Sequence, residues 1–376
     1  MSLHSVVLSA SGLFTPPHSI SNDELVVAFN QYVNNHNQQH AAEIANGTRE
    51  ALQESSGAFI EKASGIKSRF VMDKAGIIDP EVMRPYLPAR DDEEISLQAQ
   101  MGVAAAQDAL ARRGLQGSDI DMVLLACSNM QRAYPAVSVE IQAALGARGF
   151  AFDMNVACSS ATFALQTAYN AIAVGSATRV LVVNAEICSA HLNFRDRDSH
   201  FIFGDAATAM ILERADLVDD AQRGFKIRGT SLFTQFSNNI RNNFGFLNRC
   251  DPEHQFGMDK LFVQHGRKVF KEVCPAVGEH IVQHLAALNI RADDIKRFWL
   301  HQANQTMNDL IARRILGRDA NKEEAPVILD RYANTSSAGS IIALHLYSDD
   351  LQSGDLGVVS SFGAGYSIGS VVLEKR

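Results

Sequence analysis

Segments of this chain recur in the same order in its two halves, and that recurrence limits the possible fold more than composition does. GLQGSDIDMVLLACSN (114–129) reappears as NIRADDIKRFWLHQAN (289–304), and FAFDMNVACSSATFALQTA (150–168) as VILDRYANTSSAGSIIALHL (327–346). RVLVVNAE (179–186) matches DLGVVSSFGAG (355–365), and ATAMILER (207–214) matches IGSVVLEKR (368–376). Cys127 falls opposite His301 and Cys158 opposite Asn334, at offsets of 174 and 176. Glu213 stands opposite Glu374 at an offset of 161, so the first half carries about 14 extra residues between Glu186 and Gly204. The two halves divide the chain into 1–215 and 216–376.

Apolar runs at Met122–Ala126, Val180–Val183, Phe298–Leu300 and Gly357–Ser360 are too short to be helices. Alternating with helical segments, they read as strands buried on both faces of a largely parallel or mixed sheet. The expectation is a duplicated, layered α/β fold. Residues 22–98 lie outside the symmetry: 34–53 reads as helix plus exposed loop, and 78–90, with three prolines, as an ordered irregular loop.

A net charge of −8 over 376 residues offers no field to hold a nucleic acid. No run reaches the ~20 apolar residues of a membrane span. The start, MSLHSVVLSASGLFTPP, lacks a basic leader pattern. Five widely spaced cysteines, with no paired metal-ligand spacing, read as reduced thiols in a cytoplasmic protein without structural zinc.

Ligands of parallel sheets bind beyond the C-terminal ends of strands, where the repeat puts Cys158, His301 and Asn334. Cys158 opens a small-residue helix, and a helix N-terminus favours thiolate; the bland alternative is a buried structural cysteine. His301 closes an apolar strand, placed either to share a proton with a ligand or to rest in the core. Asn334 begins NTSSAGS and is at least a good N-cap. SFGAGYSIGS (361–370) has three glycines that free backbone N–H groups for an oxyanion hole. A strand follows it rather than a helix, which removes a dinucleotide-loop reading.

Cys158, HQAN at 301–304, NTSSAGS at 334–340 and the terminal glycine loop closely resemble the β-ketoacyl-[acyl carrier protein] synthase III family. GIKSR (65–69), YPAVSVEIQAALG (134–146), IFGDAATAMIL (202–212) and HGRKVFK (265–271) extend the resemblance over nearly the whole chain. It implies a thiolase-like α-β-α-β-α homodimer that uses no cofactor. Cys158 would take an acyl group from acyl-CoA. His301 and Asn334 would stabilise the enolate made when malonyl-acyl carrier protein loses carbon dioxide. The N–H groups of Cys158 and Ala364 would hold the tetrahedral oxyanion. Phe59, Arg197, Gly266, Asn304 and Phe362 would contact the coenzyme or pantetheine, and Lys271, Arg313 and Arg314 would dock the acidic carrier.

The chain departs from the family at Phe59 and Ala63, where an adenine-stacking Trp and a phosphate-binding Arg are common. Those departures weaken CoA as the donor and leave an acyl carrier protein donor open, whereas the enlarged 22–98 region and the small residues after Cys158 favour a primer longer than acetyl, near eight carbons, in fatty acid biosynthesis. A degradative thiolase would need a second cysteine near the C-terminus, and none follows Cys274. The competing readings are a condensing or acyl-transferring relative of secondary metabolism and a non-catalytic carrier-binding protein.

Overall fold

The computed structural model describes residues 3–219 and 223–376. Nine strands form its main sheet: β1 (Val6–Phe14), β2 (Met122–Ala126), β3 (Phe150–Met154), β4 (Arg179–Glu186), β5 (Ala206–Arg214), β6 (Phe225–Ser237), β7 (Ile295–Leu300), β8 (Leu356–Gly363) and β9 (Gly365–Lys375). Their spatial order is β7-β8-β9-β6-β1-β5-β4-β2-β3. From the middle outward, β1-β5-β4-β2 mirrors β6-β9-β8-β7, which is the sequence repeat expressed as topology. The half-sheets join only where Val7 and Leu8 of β1 face Lys226 and Phe225 of β6. Pairing is parallel for β2 with β3 and β4, and for β7 with β8; the other pairs are antiparallel.

Eight helices position the site: α1 (Asn22–Gln39), α2 (Gly57–Ser64), α3 (Leu97–Arg113), α4 (Val137–Leu145), α5 (Ser160–Ala173), α6 (Gly266–Ala287), α7 (Gln305–Leu316) and α8 (Ala338–Leu346). Strand alternation sorts them into layers. Leu124 and Val182 join Val359 and Val371 in one core around Ala161, Ala164 and Leu165 of α5 and Ile341 and Ile342 of α8. Val123, Leu125 and Val183 turn the other way, onto α3 and α4. Val358 and Val372 do the same toward α6 and α7. The layering is therefore α3/α4, half-sheet, α5/α8, half-sheet, α6/α7, as expected of a thiolase-like fold.

One expected equivalence fails. Phe150–Met154 is strand β3, but its counterpart at 327–332 enters a short helix, Leu329–Tyr332, without pairing into the sheet. Gln302 Oε1 accepts from the Ile328 N–H at 3.0 Å, so a side chain supplies the bond that a strand neighbour would. β3 is thus an open edge with no match in the other half.

Layer spacing depends on small residues at the closest approaches. A Cβ on Gly12 of β1 would lie 2.2 Å from the Ala105 carbonyl oxygen and 2.4 Å from the Ala109 nitrogen of α3, both backbone atoms that cannot yield. Gly12→Ala is therefore expected to cost about 3 kcal/mol, the upper part of the usual overpacking range, and to lower the thermal midpoint. Differential scanning calorimetry checks this, with Ala10→Gly as a comparison on the same strand.

Candidate active site

Cys158 sits where β3 turns into α5, and the turn is built by its own side chains. Asn155 Oδ1 accepts from the Ala157 N–H at 2.9 Å, and Asn155 Nδ2 donates to the Ser128 carbonyl at 2.8 Å. Ser160 Oγ accepts from the Val156 N–H at 2.9 Å and donates to the Ala157 carbonyl at 2.7 Å. Ala157 is held at φ +47°, a conformation that non-glycine residues adopt only when their surroundings enforce it. This strained elbow carries Cys158 into the helix that follows.

The other half of the repeat closes over that thiol. A Cβ on Gly363, at the end of β8, would lie 2.7 Å from the Cys158 Cβ and 3.1 Å from its Sγ, so only glycine permits this contact. Ser336 Oγ donates to Cys158 Sγ at 3.4 Å. His301 follows β7 directly; its N–H bonds the Ser360 carbonyl at 2.8 Å, and Phe362 meets its ring edge-on at 5.2 Å. Asn334 pairs backbone with Phe203 through Asn334 N–H to Ile202 carbonyl (3.0 Å) and Gly204 N–H to Asn334 carbonyl (3.1 Å). Cys158, His301 and Asn334 all line one cavity of about 540 Å³, walled by Phe59, Phe201, Phe203, Phe262 and Phe362.

The electrostatics of the pair correct one expectation. A helix N-terminus alone would favour thiolate, but burial pushes the Cys158 thiol up to about 11, against the hydrogen bond from Ser336. Burial pushes His301 down to about 4, partly opposed by a backbone hydrogen bond at Ser336. Both shifts run the same way, favouring the neutral thiol and the neutral imidazole over a thiolate–imidazolium pair. The resting site is a thiol beside a neutral imidazole.

Two groups that matter here were not singled out from the sequence. Glu186, the last residue of β4, is fully buried and accepts from Ser128 N–H (2.9 Å), Ser128 hydroxyl (2.6 Å), Ser337 N–H (3.2 Å) and the Ser337 hydroxyl. Burial pushes its carboxyl pKa up while those bonds pull it down. One side chain thus ties the loop after β2 to the loop carrying Asn334 and Ser336. A charged residue closing an otherwise apolar strand was the available signal. Ser336 is the second, inside NTSS but hidden by the emphasis on Asn334.

The remaining predicted positions divide. Gly266, Asn304 and Phe362 line the cavity, and Ala364 begins the turn between β8 and β9 next to Gly363. Asn304 has both ends of its amide engaged by protein: Nδ2 donates to the Ala63 carbonyl at 2.7 Å, and Oδ1 caps α7 at Met307. It straps α2 to α7 and shapes the wall. Phe59 and Arg197 do come together, the guanidinium lying 4.1 Å from the ring centroid. Stacked on each other, they leave no slot for an adenine between them. Lys271 is exposed on α6, and Arg313 and Arg314 are exposed on α7. Arg313 already pairs with Asp319 at 2.5 Å, and the stem of Arg314 packs over Gly278. Among the remaining cysteines, Cys127, Cys188 and Cys274 are buried and Cys250 is exposed. Among the described residues no cluster of His, Cys, Asp or Glu could hold a metal ion, and no helix is long and apolar enough to cross a membrane.

Comparisons with known proteins place this geometry. Residues 152–234 match 3-oxoacyl-[acyl-carrier-protein] synthase III, and residues 285–375 match the C-terminal part of the same family. A beta-ketodecanoyl-[acyl-carrier-protein] synthase of Pseudomonas aeruginosa is 65% identical over 349 residues, covering 93% of this chain and 99% of that protein. A beta-ketoacyl-[acyl-carrier-protein] synthase III of Brucella anthropi is 33% identical over 347 residues, covering 86% and 93%. The solved synthase III of Thermus thermophilus superposes with a TM-score of 0.74 at 25% identity over 98% of both chains. The priming beta-ketosynthase of the R1128 polyketide pathway superposes at 0.76 with 24% identity over 100% and 98%, a likeness of fold alone.

Removing the Glu186 carboxylate should show how the site is held. Glu186→Ala strands the Ser128 and Ser337 donors in the interior and is expected to cost about 3 kcal/mol of stability. Glu186→Gln keeps an acceptor oxygen and should recover most of that loss. Urea unfolding of both variants measures the difference.

Proposed function

The chain belongs to the β-ketoacyl-[acyl carrier protein] synthase III family, and from that premise we propose that it condenses a medium-chain acyl-CoA primer with malonyl-acyl carrier protein in fatty acid biosynthesis. The products are a 3-oxoacyl-acyl carrier protein, free CoA and carbon dioxide. The observation that carries this reading is the convergence of Cys158, His301 and Asn334, from both halves of the repeat, on one apolar cavity. The chain length follows the Pseudomonas relative: a ketodecanoyl product contains two carbons from malonyl and therefore an octanoyl primer. The Phe59–Arg197 stack supports a donor gripped by its pantetheine and acyl parts more than by its adenine.

In the first half-reaction Cys158 Sγ attacks the primer's thioester carbonyl. The S–C bond to CoA breaks, and CoA leaves with the proton that Cys158 gives up. Because burial favours the neutral form of both Cys158 and His301, that proton moves during acyl transfer rather than before it. The N–H groups of Cys158 and Ala364 take the developing oxyanion.

In the second half-reaction the malonyl thioester oxygen faces His301 and Asn334. Asn334 Oδ1 is occupied by the Ser336 N–H at 2.8 Å, so its NH₂ is the end left to donate. His301, neutral, donates an N–H without adding charge. These donors stabilise the enolate formed as the bond to carbon dioxide breaks; the enolate carbon then attacks the Cys158 thioester and expels the sulfur as thiolate, which takes up a proton from water to restore the resting thiol. Loss of carbon dioxide needs charge stabilisation in a dry site more than a base.

For a partner, the exposed cations on α6 and α7 are the proposed docking face for acidic acyl carrier protein. The open edge β3 presents Phe150 (44% exposed) and Phe152 (38%), with Tyr134 (85%) nearby in sequence. An apolar edge of this kind suits a homodimer in which two copies pair β3 to β3.

His301→Ala and Asn334→Ala are each expected to slow carbon dioxide release from malonyl-acyl carrier protein by about 10²- to 10³-fold, while Cys158 still loads octanoyl-CoA. Radiolabelled carbon dioxide release and intact mass of the acyl-enzyme measure the two steps. Loading without any release in the unmodified enzyme would favour an acyl-transferring relative instead.

A further inference from the structure

Resting on the acyl-transfer reading, in which the N–H groups of Cys158 and Ala364 hold the oxyanion, we infer that Ser159 and Ser367 are positioning residues whose hydroxyls fix one donor relative to the other. The two N–H groups come from opposite halves of the repeat, so no single element sets the gap between them. Ala364 lies in the tip of the hairpin that joins β8 to β9. Gly363 and Ser367 face each other as the last pair of that ladder, leaving residues 364–366 as the tip.

Gly365 in the tip pairs with Ser237 of β6, which restrains the hairpin against its sheet neighbour. Its restraint against α5 comes from side chains. Ser367 Oγ, with one proton to give, lies 2.8 Å from the Ala364 carbonyl oxygen and 2.9 Å from Ser159 Oγ. Ser159 Oγ donates in turn to the Ser367 carbonyl at 3.1 Å. Ser159 directly follows the nucleophile, and Ser367 holds the residue that carries the second donor. One short chain of hydroxyl bonds therefore runs from Cys158's neighbour to Ala364 itself.

Both serines are buried, so water cannot stand in for a lost partner without entering the contact. Methyl groups pack over a range of separations, whereas a hydroxyl bond weakens steeply outside a narrow distance and angle. An oxyanion donor is equally exacting, since it must stand about 2.7–3.1 Å from the charge it stabilises. One turn further along α5, Thr162 Oγ1 stands 2.7 Å from Ser361 Oγ. Ser361 faces Gly369, two pairs back from the tip on the other leg of the hairpin. This second bond joins the same helix to the same hairpin without touching Ala364, and it provides the control.

Two reactions of Cys158, each followed by intact mass of the full-length enzyme, separate positioning of the oxyanion donors from general loosening. Acyl transfer from octanoyl-CoA builds an oxyanion; alkylation by iodoacetamide displaces iodide at a saturated carbon and builds none. Ser367→Ala and Ser159→Ala should each slow the maximal acylation rate by about tenfold, a part of the 10²- to 10³-fold that losing a whole donor costs. The half-saturating octanoyl-CoA concentration and the iodoacetamide rate should stay within about twofold of the unmodified enzyme. The double variant should acylate within about twofold of the slower single variant, because either change breaks the same chain. Thr162→Val should acylate within about threefold of the unmodified enzyme, since its bond does not reach the tip. Acylation within about twofold in both serine variants, equal slowing of alkylation, or a tenfold loss in Thr162→Val overturns the inference and leaves the acyl-transfer reading standing. Failure of the unmodified enzyme to load any acyl thioester would overturn that reading, and the inference with it.

Discussion

Gly363 lying against Cys158 is the contact on which the rest of this structure depends. A methyl group there would stand 2.7 Å from the cysteine Cβ, so the loop after β8 could not close and the two halves of the repeat would not share a cavity. The duplication explains why the contact exists. The inner helices α5 and α8, equivalent in the two halves, pack in one core between the half-sheets. Cys158 comes from one half; His301, Asn334, Ser336 and Gly363 come from the other. Glu186 then fastens the two loops from within, with bonds to Ser128 and Ser337.

That closure sets the chemistry. Cys158 is left half-buried in the cavity wall, and that burial outweighs the hydrogen bonds from the Ser336 hydroxyl and its own backbone. The same burial keeps His301 neutral. A site assembled this way does not store a reactive thiolate. In the proposed mechanism it would move the proton as CoA departs from the primer thioester, and the donors of His301 and Asn334 would then hold the enolate. The neutral pair also spares the open enzyme from unproductive reactions of a standing thiolate.

Much of this was legible in the sequence because it rests on short-range pattern. Met122–Ala126 is a strand at the residues where its apolar run begins and ends. The strand-end positions of Cys158 and His301 follow from the repeat; Asn334 keeps its equivalent place but follows the short helix Leu329–Tyr332 instead of a strand. What the pattern missed depends on tertiary surroundings. The thiol was expected to ionise because the helix N-terminus is visible in sequence and the burial is not. Residues 327–332 look like the counterpart of β3, yet Gln302, distant in sequence, takes the strand's hydrogen bond. That Asn304, a wall residue of the cavity, also straps Ala63 to Met307 through its amide was not visible in the sequence. Glu186 entered the sequence reading only as the border of the inserted stretch, since nothing local shows that two serines from opposite halves converge on it.

The central claim is that Cys158 rests as a neutral thiol, and the pH dependence of its alkylation tests this most directly. With a pKa raised to about 11, the thiol stays protonated at neutral pH. The rate of iodoacetamide labelling of Cys158, followed by mass spectrometry of the active-site peptide, should then be slow at pH 7. It should climb about tenfold per pH unit through pH 9, since reaction goes through the thiolate fraction. Labelling that is already fast at pH 7 and flat to pH 9 would show a resting thiolate and contradict the account.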